Sequence, residues 1–206
     1  MKDNLHLVFT YPESYSEEII NKDIAELETP NIKIHIERHK NEVYAAMEWI
    51  VPTLFAGIVL KPYFESFFQE AGKDHYQLLK KGLKKMLVRG KETDVKLITA
   101  NESSQKLSKS YTQSLAVSIL LQTKTGRNIK LLFDNNLKLE DWENELEEFL
   151  ILIREHYQDY PNDKISEKIK DLSPKEYYTI YVILSPETKE LEFHDDITFL
   201  SKIKKL

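Results

Sequence analysis

Cysteine is absent from all 206 residues, which excludes a disulfide framework, a thiolate metal site and a cysteine nucleophile. Glycine is scarce: only Gly57, Gly72, Gly82, Gly90 and Gly126 occur, none near enough to another to form a phosphate-cradling loop. The Walker A pattern, the dinucleotide fingerprint, the G-x-S-x-G elbow and the H-E-x-x-H metalloprotease pattern are all missing. The apolar stretch from Trp49 to Leu60 has twelve uncharged residues between Glu48 and Lys61, short of the roughly 20 that cross a bilayer. Positive charge is also in deficit. A net charge of −5 has the wrong sign for whole-chain affinity to nucleic acid, so no nucleic-acid partner is expected.

What the chain does contain is core material: 41% hydrophobic residues, with eleven Tyr and nine Phe. That supply offsets chain entropy, and the length suits a single globular domain over 1–206. The start, Met1-Lys2-Asp3-Asn4, lacks the basic and long apolar regions of a signal peptide, which makes the cytoplasm the expected compartment.

Periodicity supplies the elements. Leu5 to Tyr11, ended by Pro12, suggests a strand, and Ile20, Ile24 and Leu27 suggest a helix capped by Ser14 or Ser16. Ile32, Ile34 and Ile36 alternate with polar residues, the pattern of a strand with one buried face. From Asn41 a helical region is expected, kinked by Pro52 and Pro62, with Trp49 to Leu60 as a central helix apolar on all sides. Asp74 and Gln77 then open a helix with Tyr76, Leu79, Leu83, Met86 and Leu87 on one side and lysines on the other.

A strand at 94–99 and a polar loop or exposed helix at 101–114 follow. Leu115–Thr123 and Asn128–Phe133 form a hairpin around Gly126. A helix over Leu139–Tyr157 carries crowded acids in its first half, which its dipole favours. A short helix capped by Asp163, a second hairpin around 185–189 and a last helical turn complete the chain. The expected class is α+β: an antiparallel or mixed sheet with hairpins, packed against several helices.

Chemistry-bearing residues are dispersed. His35 and His39 would stand about 13 Å apart on one strand face, too far to share an ion. His75 beside Asp74, and His194 beside Asp195 and Asp196, combine imidazole with carboxylate, but each aspartate also suits a helix cap. Glu65 and Glu70 lie five residues apart, on different helix faces. The residues that stand out are Lys73, Lys80, Lys81, Lys84, Lys85 and Arg89, a basic face suited to interaction.

The leading expectation is a non-catalytic protein-binding or regulatory module without a cofactor, its partner a second copy or another protein. That basic face could equally meet the acidic start of the 139–157 helix, within one chain or between two. One alternative is a peripheral protein binding an anionic membrane surface through the apolar and basic region 44–89. A second is an enzyme whose histidines and acids converge only on folding, around His75 or His194.

Overall fold

A computed structural model describes residues 7–13, 16–25, 34–39, 55–59, 73–92, 112–172 and 179–203. The strands are β1 (Leu7–Pro12), β2 (Ile34–His39), β3 (Phe55–Val59), β4 (Gln113–Gln122), β5 (Asn128–Asp134), β6 (Ile180–Leu184) and β7 (Leu191–His194). They form one mixed sheet in the order β2-β1-β3-β4-β5-β6-β7. Parallel pairs (β1 with β2, β3 with β4, β5 with β6) alternate with antiparallel ones (β1 with β3, β4 with β5, β6 with β7). Both hairpins expected from the sequence are present, and Gly126 turns the first with φ +86. That left-handed geometry favours glycine.

The helices are α1 (Glu17–Ala25), α2 (Lys73–Glu92), α3 (Leu139–Asp159), α4 (Lys164–Ile169) and α5 (Asp196–Ile203). Period-two alternation sends Phe9, Ile119, Leu131 and Val182 to one face of the sheet. There they meet Leu79, Leu83 and Leu87 of α2 and Trp142, Leu146, Phe149 and Ile153 of α3 in a single apolar cluster. The three- and four-residue spacing in each helix makes this possible. Across the sheet, α5 lays Phe199 on Tyr181, the rings stacked at 4.8 Å.

The expected central helix is corrected in part. Phe55–Val59 is a strand, hydrogen-bonded to β1 on one side and β4 on the other. A short apolar run in mid-sequence looks the same whether it is a buried helix or an interior strand. Two flanking strands with open edges decide for the sheet. The rest of the 41–60 region lies outside the described residues, as do the expected strand at 94–99 and most of the 101–114 loop.

Buried polar side chains fasten the second half. The His156 ring is wholly buried; its Nε2 accepts the Lys124 N–H at 3.0 Å, so Nδ1 carries the proton and donates to Asp163 Oδ1 at 2.9 Å. Asp163 also caps α4 through the Ser166 N–H at 2.9 Å. Nearby, the Tyr157 hydroxyl donates to the Gln122 carbonyl. The β4–β5 turn, the end of α3 and the start of α4 are thereby tied at one point. Removing the ring leaves the Lys124 N–H without its acceptor, takes one donor from Asp163 and opens a cavity in the core, so His156→Ala should lose about 2–3 kcal/mol of stability in urea denaturation. A loss under about 0.5 kcal/mol would mean the clamp contributes little.

Candidate functional site

Helix α2 carries its lysines in two tracks. Along the inner one, Lys80 bonds Glu147, while Lys84 bonds Glu143 at 2.8 Å and lies 3.6 Å from Glu147. The lysine numbers rise as the glutamate numbers fall, so α2 and α3 run antiparallel. The bond to Glu143 raises the Lys84 pKa, and the bond from Lys80 lowers that of Glu147. Further along, Lys91 donates to the carbonyls of Asn135 and Leu137 at 2.7 and 2.6 Å and sits 4.5 Å over the Trp142 ring. The acidic start of α3 therefore meets the basic helix within one chain.

The outer track is Gln77, Lys81, Lys85 and Val88. With Lys80 and Lys84 it lines a shallow groove of about 360 Å³. Lys81 is exposed, whereas Lys85 and Arg89 are half-buried. Lys73 opens the helix, but its side chain, like those of Asp74 and His75, lies outside the described residues. So do Glu65 and Glu70.

The other candidates separate. His35 lies on the exposed face of β2, 3.7 Å from Glu37, and no cluster of potential metal ligands occurs among the described residues. His194 bonds Glu192 at 3.1 Å, not its neighbour Asp195. Glu192 is shared with Lys202 of α5, and Asp195 caps α5 by accepting the Thr198 N–H at 2.8 Å. Burial lowers the His194 pKa against the pull of Glu192.

Ser166, His156 and Asp163 have the composition of a hydrolytic triad without its geometry. The Ser166 hydroxyl donates to Asp163 at 2.6 Å, while the ring nitrogen needed as the base is occupied by Lys124. Among the described residues, no helix is long and apolar enough to cross a membrane.

Glu145 was not legible as anything beyond one of the α3 acids. It is completely buried, one oxygen accepting the Leu184 N–H at 2.8 Å and the other lacking a hydrogen-bond partner. The cause is in the sheet. Ser185 donates to Glu190 across the β6–β7 hairpin, so by alternation the preceding N–H, that of Leu184, faces β5. The β5–β6 ladder has already ended at Leu131 and Val182, and the glutamate replaces the missing strand.

Desolvation by burial pushes the Glu145 pKa well above the usual 4.5, with Asp134, Glu148 and Asp141 adding to the rise. The folded chain thus holds this proton more tightly than the unfolded one. Its contribution to stability is complete below about 4.5 and is lost as pH rises toward the folded value. Glu145→Gln keeps an acceptor for Leu184 but cannot ionise, so its melting temperature should fall less than that of the parent between pH 5 and 8.5. Parallel curves would show that Glu145 does not titrate in this way. Compared with known protein families, curated proteins and solved structures, the chain matches none, and its functional reading rests on this geometry.

Proposed function

We propose that this chain is a non-catalytic protein-binding module of the cytoplasm that receives an acidic surface of a partner protein on the outer track of α2. One observation carries the reading: four lysines rim a single groove along one helix, in a chain whose net charge is −5. An anionic partner drawn there is attracted locally and against the field of the whole molecule. The absence of cysteine accords with a reducing compartment.

Support also comes from the groups that would serve chemistry. His156, Asp163, Ser166, His194 and Glu192 are each hydrogen-bonded to other groups of the same chain. Their bonds fasten turns, caps and strand ends.

Polyglutamate should bind the purified protein at low salt and be released at high salt, as followed by fluorescence anisotropy. Reversing Lys81 and Lys85 to Glu should weaken polyglutamate binding by about tenfold or more without changing the circular dichroism spectrum. Failure of polyglutamate to bind at low salt would refute the reading.

A further inference from the structure

We infer that Glu145 is a proton-operated latch: with its proton on, the side chain holds the end of β6 against α3, and with the proton off residues 184–191 at the tip of the β6–β7 hairpin move away from α3 and admit water. The latch belongs to the second half of the fold and operates whatever α2 binds.

A carboxyl group with a single donor is its first part. Glu145 is fully buried, one oxygen accepting the Leu184 N–H at 2.8 Å and the other without a hydrogen-bond partner. In the neutral form one oxygen accepts while the other carries the proton, so a single donor suffices. In the ionised form both oxygens call for donors, and a buried charge with one bond is costly until water reaches it.

The surrounding charge is the second part. Asp141 and Glu148 on α3 and Asp134 at the end of β5 add to the cost of ionisation that burial already sets. Cations on the neighbouring elements are engaged with other groups. From α2, Lys80 bonds Glu147, Lys84 bonds Glu143, and Lys91 donates to the Asn135 and Leu137 carbonyls. From α4, Lys164 lies 3.7 Å from Glu155, and Lys168 donates to the Leu191 carbonyl at 3.5 Å. From the hairpin, Lys189 bonds Asp141 at 3.2 Å, Glu190 adds negative charge beside Glu148, and Glu192 is held by Lys202 and His194. A charge on Glu145 thus meets other carboxylates first.

The third part is a segment that can give way. The β5–β6 ladder ends at Leu131 and Val182, so beyond Val182 the strand pairs with β7 alone. Residues 186–190 are exposed, and Lys189 holds a left-handed φ of 58. The Lys189–Asp141 pair is largely solvated and holds the tip weakly. Helix α3, by contrast, buries Trp142, Leu146 and Phe149 completely. The least costly opening is therefore at the hairpin, where the fewest contacts break. It turns Leu184 and Leu191, both buried in the closed form, toward solvent.

The direction follows from the same burial. Because the Glu145 pKa is held well above its ordinary value, the latch is closed in acid and opens as pH rises toward that raised value.

Amide hydrogen exchange of the full chain, followed by NMR and expressed relative to intrinsic rates, tests the latch between about pH 5 and 8.5. As pH rises, the Leu184 N–H should lose protection at least about tenfold more than the N–H groups of Ile119 and Leu150. In Glu145→Gln, which keeps an acceptor for Leu184 but cannot ionise, the three amides should keep the same relative protection throughout. The parent chain carries the first comparison by itself, so the result does not depend on how well the variant folds. Equal losses at all three amides would show global unfolding in place of a latch and overturn the inference. Constant protection at Leu184 would overturn it as well. So would a loss at Leu184 that Glu145→Gln leaves unchanged, because another group would then be titrating.

Discussion

Two helices lie side by side on one sheet face, so the polar borders of their apolar stripes must meet. That contact governs how the charges of the molecule are used. Burial of Leu79, Leu83 and Leu87 against the cluster that includes Trp142, Leu146 and Phe149 contributes about 1.5–3 kcal/mol for each side chain. A partly exposed ion pair such as Lys84 with Glu143 contributes at most about 1 kcal/mol. Apolar burial therefore drives the docking of α2 on α3. The ion pairs favour one direction and register, since they join lysines and glutamates with the same four-residue step.

A second regularity concerns polar groups inside the core. Glu145 accepts the Leu184 N–H where the β5–β6 ladder has ended, and His156 accepts the Lys124 N–H in the β4–β5 turn. Each buried side chain stands where the backbone has run out of partners. A buried N–H left unpaired costs about 1–3 kcal/mol, enough to favour a polar residue at a position otherwise suited to leucine. Glu145 bears this at the expense of its charge, and Asp163 does the reverse. Burial opposes ionisation of Asp163, but the hydroxyl and N–H of Ser166 together with His156 outweigh it and leave its pKa below the usual carboxylate range.

Most of the architecture was legible because it depends on local pattern. Ile34 and Ile36 alternate, Leu79, Leu83 and Leu87 recur at helical spacing, and Gly126 turns the first hairpin. Phe55–Val59 was not legible as a strand, because an apolar run without period carries no sign of which neighbours it will acquire. The lysine face was visible, but its division into an inner and an outer track was not. That division depends on where α3 lies. His156 and Asp163 join only through the turn between α3 and α4. One clue to Glu145 was present: it follows Trp142 by three and precedes Phe149 by four, placing a carboxylate within the apolar stripe.

The division of the lysines is tested most directly by urea denaturation of Lys84→Glu and Lys81→Glu measured side by side. Reversal at Lys84 removes its bonds and places like charge beside Glu143 and Glu147, and should cost about 1–2 kcal/mol. Reversal at Lys81, which is more exposed than Lys84, should cost less. Equal losses at the two positions would contradict the assignment of Lys84 to the contact between α2 and α3.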